Sequence, residues 1–297
     1  MTQVTDVTGV LLKSVSRSFY LTIRFLPKQM RPAVALGYML ARATDSVADT
    51  VGAPIEQRVH VLQRMGMAIA GAQDAELLHM LAHDIAPGLS HEGERTLLCE
   101  FGNLLQALNG FSPEQQQHIR NVLATIVKGQ LWDLTAFAQH DTVQSDDETR
   151  CYTYNVAGCV GEFWTSLGYT TMGETFCANA RRDVMLQAGI RYGQGLQLIN
   201  ILRDMEEDAA RGRHYLCSSP STWLNRAERY MSDGVDYSRR LGTFRLRFAS
   251  ILPALIGLKT IQRLKASTLG KGKVKIKRRS VYACLVKALF ICLRKKG

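Results

Sequence analysis

The chain has 297 residues, of which 46% are hydrophobic and only 7 are proline, so it can form a packed core and long helices. Its seven cysteines are scattered and show no CxxC spacing, which argues against a disulfide framework and a zinc site. The first 20 residues lack the basic start and apolar block of a secretory signal. We therefore expect a reduced, cytoplasmic setting.

The net charge of +11 is concentrated at the carboxyl end of the chain. Residues 1–236 carry 20 Lys and Arg against 26 Asp and Glu, a net of −6, whereas residues 237–297 carry 17 basic and no acidic residues, a net of +17. A segment charged in this way attracts anions, which are phosphate ligands, an anionic lipid surface or nucleic acid.

The hydrophobic pattern along the chain has a helical period. Pro32 lies where the first turn of a helix tolerates proline, and Ser112 with Pro113 gives a second helix start. No stretch shows the alternation of a strand bounded by hairpin turns. We predict an all-α fold in a single domain over residues 1–297, with helices in five stretches: residues 30–50, 93–111, 112–140, 146–169 and 181–208.

The basic carboxyl-terminal segment 259–297 contains one further apolar stretch, VYACLVKALFICL, at residues 281–293. Its 13 residues, interrupted by Lys287, are too few to span a bilayer, which needs about 20 apolar residues. As a helix between basic clusters it could lie on the inner face of a membrane as a peripheral contact. A final core helix with a solvated basic end explains the same residues equally well.

Two stretches place carboxylates one helical turn apart. TDSVAD contains Asp45 and Asp49, and RDMEED contains Asp204 and Asp208. Such a pair repels itself by a few tenths of a kcal/mol, and a single pair is usually only a solvated helix face. Here, however, both pairs follow apolar runs, at the helix end where the helix dipole disfavours anions.

Each carboxylate pair also follows an arginine, Arg42 in the first stretch and Arg203 in the second. Carboxylate oxygens are ligands that Mg²⁺ prefers, and Mg²⁺ keeps waters or phosphate oxygens in its shell. A Mg²⁺ cluster ringed by arginines fits a diphosphate, whose departure the metal would assist. The sequence therefore predicts a magnesium and diphosphate site.

Four ordered motifs together resemble the squalene/phytoene synthases, the head-to-head trans-prenyl transferases. The motifs are SVSRSFYLTIRFLPKQMR (14–31), ARATDSVAD (41–49), YTYNVAGCVG (152–161) and LQLINILRDMEEDAARGRHYL (196–216), and a weaker likeness continues to about residue 290. The resemblance implies an isoprenoid synthase fold with a central cavity. It also implies that two aspartate-rich helices face each other across the cavity mouth and hold Mg²⁺ and the substrate diphosphates.

The resemblance assigns roles to the matching residues. Tyr152 matches the tyrosine implicated in proton transfer during the first half-reaction and is catalytic together with the four aspartates. The implied metal ligands are Asp45, Asp49, Asn200, Asp204 and Asp208. The implied substrate-binding residues are Ser16, Arg17, Phe19, Tyr38, Arg42, Gln197, Asn200 and Arg213. By their positions in the motifs, Phe19, Tyr38 and Val156 would line the apolar cavity.

Some of these residues have simpler explanations. Tyr152 could be a core tyrosine whose hydroxyl is satisfied, Arg17 a surface charge, and Gln197 and Asn200 satisfied polar residues on a helix edge.

Two positions depart from the family pattern. Some members have an acidic residue just before the second aspartate of the first motif, where this chain has Ala48, so one ligand oxygen is absent or replaced by water. The proline usual after GRxYL is Cys217 here, which puts the local turn in doubt.

Members of the family join two prenyl diphosphates through a cyclopropane intermediate and differ in how the final cation is quenched. Squalene synthases deliver hydride from NADPH, phytoene and dehydrosqualene synthases lose a proton, and some bacterial enzymes stop at presqualene diphosphate or add water. The stretch 270–285 resembles the VKIRKG-like segment that contacts NADPH phosphates in the reducing enzymes. Its Lys275 and Lys277 stand at the matching positions, and Arg203 completes the cofactor-binding set.

We expect condensation of two farnesyl diphosphates, with Mg²⁺, followed by NADPH-dependent reduction to squalene for sterol or hopanoid biosynthesis. The alternatives are a phytoene or dehydrosqualene synthase that ignores NADPH and an enzyme that stops at presqualene diphosphate. The basic stretch 270–285 could instead be a membrane patch or a solvated loop. A non-catalytic protein that binds lipid or nucleic acid through its tail is a further alternative. Nucleic acid is not expected, because the basic tail lacks interleaved aromatic residues beyond Tyr282 and Phe290, so base stacking is poorly supported.

Overall fold

The computed structural model describes residues 2–16, 19–137, 141–177, 179–266 and 276–293, with the backbone alone for residues 2–8 and Leu21. Every regular element in these ranges is helical, and one isolated parallel bridge joins Thr142 and His214. The prediction of an all-α fold is confirmed. The helices in chain order are α1 Thr2–Val15, α2 Phe19–Phe25, α3 Arg31–Ala48, α4 Ile55–Ala70, α5 Ala75–Met80, α6 Glu92–Cys99, α7 Phe101–Leu108, α8 Pro113–Ala136, α9 Asp146–Thr153, α10 Cys159–Met172, α11 Arg182–Ala209, α12 Pro220–Arg240, α13 Phe244–Ala266 and α14 Arg278–Leu293.

Two of the predicted helices are interrupted in the structure. The stretch 93–111 divides into α6 and α7 at Glu100, whose ψ of 3° leaves the helical region. The stretch 146–169 contains a π-helical turn, Tyr154–Gly158, between α9 and α10. Short helices of the π and 3-10 types also occur at Leu81–Ile85, Ala86–Gly88 and Gly173–Thr175.

The chain divides into two compact units, Met1–Leu134 and Thr135–Gly297. The single domain over residues 1–297 therefore stays a prediction. In the first unit, α3 packs against α1, α4, α6 and α7. The apolar period of α3 continues along its buried side, where Met39 and Leu40 are fully buried. This packing fixes the helix that carries the first aspartate motif.

In the second unit, α11 is the central helix and packs against α10, α12 and α13. The backbones of α10 and α11 meet at Gly161 and Gly189, in a contact that we call the glycine contact. A Cβ atom built on Gly161 would lie 1.9 Å from the carbonyl oxygen of Gly189. One turn along, a Cβ atom on Gly193 would lie 2.2 Å from the carbonyl oxygen of Ala157. Only glycine allows this approach, which sets the motif around Tyr152 against the helix of the second aspartate motif.

Gly161→Ala should lower the free energy of unfolding by about 2–3 kcal/mol, because the new methyl group meets backbone that cannot move aside without separating two helices. Urea unfolding measures this loss. The matched control is Gly66→Ala in α4, whose Cβ would make an ordinary contact 3.4 Å from Val127. It should stabilise the protein by up to about 1 kcal/mol. Equal effects of the two changes would contradict the glycine contact.

Candidate active site

The first aspartate motif lies at the carboxyl end of α3, in the first unit. The Arg42 guanidinium bridges two carboxylates there, since Nη1 donates to Oδ2 of Asp45 and Nη2 donates to Oε1 of Glu94 at 2.5 Å. Asp49 caps the helix through its backbone N–H, which donates to the carbonyl oxygen of Asp45 at 2.9 Å, and its side chain is exposed. The carboxylates of Asp45 and Asp49 therefore stand at this helix end, beside an arginine that Asp45 shares with Glu94.

The carboxylate of Asp45 is in an unfavourable electrostatic environment. Desolvation and the nearby Asp49 carboxylate raise the pKa of Asp45 to about 6, and Glu94 adds to the rise, whereas Arg42 opposes it. The Asp45 side chain still keeps 42% of its surface exposed, so a cation in solution can reach it. Such a pair of accessible, mutually repelling carboxylates favours the binding of a divalent cation.

An aromatic pair joins α2 to α3, and its Tyr38 lies two turns before Asp45. The rings of Phe19 and Tyr38 are 5.1 Å apart between centroids, and the Tyr38 hydroxyl donates to the carbonyl oxygen of Val15 at 3.2 Å. Desolvation raises the pKa of Tyr38, with Arg42 opposing and Asp45 adding to the shift, so these groups share one environment. The structure thus brings four of the predicted residues together within the first unit: Phe19, Tyr38, Arg42 and Asp45.

Ser16 is buried at the junction of α1 and α2, and its hydroxyl donates to the carbonyl oxygen of Leu12. Arg17 lies outside the described residues. Ala48, which stands where some family members have an acidic residue, contributes through its backbone. Its carbonyl oxygen accepts a hydrogen bond from Nη1 of Arg58 at 2.7 Å. Substrate binding by Ser16 and Arg17 stays a prediction.

The second aspartate motif occupies the last two turns of α11, in the second unit. Arg203 and Asp204 form a bidentate ion pair, in which Nε donates to Oδ1 at 2.8 Å and Nη2 donates to Oδ2. The hydrogen bond with Asp204 raises the pKa of Arg203, and Glu207 and Asp208 add to the rise. The guanidinium is therefore shared among carboxylates of its own helix, and its contact with a cofactor stays a prediction.

The predicted polar pair, Gln197 and Asn200, lies two turns and one turn before this motif. Nδ2 of Asn200 donates to Oε1 of Gln197 at 3.4 Å, and Asn200 is exposed. Asp208 is half-buried, and its carbonyl oxygen accepts from the backbone N–H of Arg213 at 2.9 Å. Gly212, with a φ of 73°, makes the turn that brings Arg213 back to the helix end. One short segment thus contains Asn200, Asp204, Asp208 and Arg213.

Tyr152 is buried beside the segment that follows the second motif. Its ring stacks on Tyr215 with centroids 5.0 Å apart and planes 15° apart, and Phe137 meets Tyr215 edge-on at 5.0 Å. Oγ1 of Thr149 donates to the carbonyl oxygen of Tyr215 at 2.7 Å. Val156 is half-buried in the π-helical turn that follows. The second aspartate motif and the tyrosine motif, residues 152–161, are therefore joined within one unit.

The turn around Cys217 is held without the proline that the family usually has there. The backbone N–H of His214 donates to Asp141 at 2.9 Å, and that of Val143 donates back to His214 at 3.0 Å. Cys217 is exposed, with its sulfur 3.8 Å from the carbonyl oxygen of Gln144. Backbone pairing thus holds the chain at His214, three residues before Cys217.

Sequence reasoning missed three partners of the site. Glu94, which shares Arg42, and Tyr215, which stacks on Tyr152, lie far in sequence from the residues that they contact. The hydroxyl of Tyr154 donates to Oε2 of Glu162 at 2.6 Å, two turns on in α10. Of these contacts, only the one between Tyr154 and Glu162 had a signal in the sequence. That signal, a polar residue eight positions after a tyrosine, is weak.

The donor chemistry of both motifs suits Mg²⁺. In the described ranges, no three His, Cys, Asp or Glu side chains come close enough together to hold a metal ion. Each carboxylate pair would therefore supply only part of a coordination shell, and waters and phosphate oxygens would supply the rest, as is usual for Mg²⁺. The residues present fit a Mg²⁺–diphosphate complex better than a closed metal cage.

The structure describes part of the basic carboxyl-terminal segment 259–297, which we call the tail. Lys277 is exposed directly before α14, and Lys275 lies outside the described residues. Among the described helices, none combines the length and the hydropathy that a transmembrane span requires.

Comparisons with known proteins identify the family. The profile described as squalene/phytoene synthase matches residues 12–225. The chain is 28% identical, over 73% of its length, to a bifunctional lycopene cyclase/phytoene synthase of Pyrenophora tritici-repentis. It is 27% identical, over 69% of its length, to a squalene synthase of Schizosaccharomyces pombe. The chain spans only 34% and 42% of the lengths of these two relatives.

Solved structures share the fold. TcSQS in complex with the ligand BPH1237 superposes with a TM-score of 0.77 at 20% identity, covering 97% of this chain and 86% of that one. A dehydrosqualene synthase with a bound ligand gives a TM-score of 0.63 at 18% identity, covering 97% and 95%. The predicted isoprenoid synthase fold is confirmed. With its two aspartate motifs, its tyrosine motif and a profile match over most of its length, the chain belongs to the squalene/phytoene synthase family.

Proposed function

We propose that the chain condenses two farnesyl diphosphates head to head through presqualene diphosphate and, with NADPH, reduces the intermediate to squalene. The observation that supports the prenyl-transfer step is the pair of carboxylates, Asp45 and Asp49, beside Arg42. The two carboxylates repel each other, and a diphosphate-bound cation would relieve this repulsion. The squalene synthases among the relatives favour squalene as the product. The phytoene and dehydrosqualene synthases keep the non-reducing alternatives open.

In this proposal the aspartates hold the metal and the arginines neutralise the diphosphates. Mg²⁺, when bound, supplies charge neutralisation that makes each diphosphate a leaving group. The metal ligands are Asp45, Asp49, Asn200, Asp204 and Asp208. Arg42 has one guanidinium nitrogen on Glu94 and another on Asp45, so Glu94 positions it beside the motif while it meets the substrate. Arg213 is held near Asp208 by its backbone and would contact the second diphosphate.

Tyr152 would accept or relay the proton that is lost when the cyclopropane closes. Its ring is fixed by the stack on Tyr215, and its burial limits access of water to the site. Exclusion of water protects an allylic cation from premature capture. The apolar side chains of Phe19 and Val156, together with Tyr38, would line the prenyl-binding surface, in the central cavity that the resemblance implies.

The reductive step would use the basic residues of the tail. Lys277, which is exposed, and Lys275 would contact the phosphates of NADPH, together with Arg203. The cytoplasmic location and the peripheral contact with the inner face of a membrane remain predictions of the same sequence reading.

The test is product analysis by gas chromatography–mass spectrometry on the purified full chain with farnesyl diphosphate and Mg²⁺. We expect squalene with NADPH, and presqualene diphosphate or dehydrosqualene without it. Lys277→Gln should raise the KM for NADPH and leave formation of presqualene diphosphate unchanged. The matched control is Lys128→Gln, which changes an exposed lysine of α8. Identical products with and without NADPH would refute the reductive step. Phytoene formed from geranylgeranyl diphosphate would establish the alternative.

A further inference from the structure

Helix α14 has two apolar faces, of which one is packed and one is open. The packed face consists of Cys284, Ala288 and Cys292, which recur every four residues and are buried. We call the other side the open face, and five large side chains on it are exposed. Their exposed fractions are Tyr282 66%, Val286 54%, Leu289 44%, Phe290 65% and Leu293 61%.

The packed face is already committed to the second unit. Helix α14 lies against α13, and Nη2 of Arg247 donates to the carbonyl oxygen of Cys292 at 3.4 Å. Desolvation raises the pKa of Cys284 and of Cys292, which keeps both thiols neutral and apolar in character. The helix therefore cannot turn its open face inward without exposing a second apolar face.

Cations border the open face. Arg278 and Arg279 are exposed at the start of the helix, and Lys287 is exposed in its middle. From α12, Arg239 lines the shallow groove that Tyr282, Val286 and Phe290 also line, and it pairs with Asp236 at 3.3 Å. No acidic residue follows Asp236 in the sequence. The open face is thus apolar at its centre and cationic at its edge.

We propose that the open face docks onto an anionic phospholipid bilayer, with α14 parallel to the membrane surface. Apolar side chains and two aromatic rings would enter the boundary between headgroups and acyl chains, while the arginines meet lipid phosphates and Lys287 extends to the headgroups. The described helix is too short to span a bilayer, because its 16 residues extend about 24 Å and the hydrocarbon core is about 30 Å thick.

Two other occupants fit this face less well. A second copy of the chain would bring the same cations against each other, with no carboxylate from either tail to offset them. A nucleic acid would meet the cations but gain little from five exposed apolar side chains, since its affinity depends mainly on phosphate contacts. An anionic bilayer alone offers both an apolar interior and negative charge.

Co-sedimentation of the purified full chain with vesicles tests the proposal, using phosphatidylcholine alone or mixed with phosphatidylglycerol. We expect binding to the mixed vesicles that weakens as salt rises. Phe290→Ser with Leu293→Ser should weaken binding at least about tenfold, because both side chains lose apolar area that would be buried. Arg278→Gln with Arg279→Gln should weaken binding to the mixed vesicles roughly 30-fold at low salt, from about fivefold per charge.

Matched double variants elsewhere on the surface serve as controls. Val51→Ser with Met67→Ser removes exposed apolar side chains from the first unit, and Lys13→Gln with Lys128→Gln removes exposed charges from it. Both should bind vesicles as the unchanged chain does. All four double variants should keep their circular dichroism spectra, because every changed side chain is exposed.

Three results would overturn the proposal. They are the absence of binding to mixed vesicles, equal binding by the Phe290 and Leu293 double variant, and a dimer in solution that this variant converts to monomers. The last would make a second copy the occupant of the open face. None of these results depends on catalysis, since the prenyl-transfer assay is run without vesicles and uses other residues.

Discussion

Asp49→Asn and Asp208→Asn should each lower kcat on the order of 10³-fold, because each removes one anionic oxygen donor to a metal whose charge stabilisation is worth several kcal/mol. Neither change should disturb the fold. Asp49 caps α3 through its backbone N–H, and Asp208 accepts from Arg213 through its backbone carbonyl, and asparagine keeps both groups. Turnover of farnesyl diphosphate across a Mg²⁺ titration measures the loss.

The control for this prediction is Glu206→Gln on the same helix. Glu206 is exposed and lies on a different side of α11 from the Asp204 and Asp208 pair, so its loss should leave kcat within about twofold, the size of a weak surface electrostatic effect. Thermal melting of all three variants establishes that they are folded. Retention of full turnover by Asp208→Asn would eliminate the metal assignment of the second motif.

Tyr152→Phe should slow formation of presqualene diphosphate by about 10²–10⁴-fold, the range for loss of a positioned proton-transfer group. The ring that stacks on Tyr215 is kept, so the packing of the segment after the second motif should not change. Single-turnover kinetics with farnesyl diphosphate isolate this half-reaction from reduction by NADPH.

Tyr215→Phe is the matched control, since it removes a hydroxyl from the other ring of the same stack. It should retain presqualene diphosphate formation near the level of the unchanged chain. If both variants lost activity equally, the stack would matter as packing, and Tyr152 would be a core tyrosine without a role in proton transfer.

The sequence predicted the helices best where local pattern decides the structure. The predicted stretches 30–50 and 181–208 correspond to α3 and α11 within two residues at each end, because apolar spacing, Pro32 and the charged helix ends act locally. The break at Glu100 and the π-helical turn at Tyr154–Gly158 were not predictable, because the apolar spacing continues through both. Both breaks are changes in backbone hydrogen bonding, and the pattern of apolar side chains in the sequence does not reveal such changes.

In the candidate site, too, local sequence pattern predicted some features and not others. The spacing of Asp45 and Asp49 already placed both carboxylates on one helix end, and the structure adds that desolvation and Asp49 raise the pKa of Asp45. Glu94 could not be foreseen as the second carboxylate on Arg42, since 52 residues separate the two. The stack of Tyr152 on Tyr215 likewise depends on the chain reversing after α11. Pattern identifies the chemical groups, and only tertiary packing supplies their distant partners.

The glycine contact between α10 and α11 constrains how the proposed prenyl-transfer activity could change its substrate. The carbonyl oxygen of Gly189 already lies where a side chain on Gly161 would begin, so α10 and α11 cannot come closer together. Under the proposed function, a shorter prenyl chain could not be fitted by bringing these two helices closer together. Under the proposed function, we therefore expect altered chain-length preference in the second unit to come from side chains of different volume rather than from closer packing of α10 and α11.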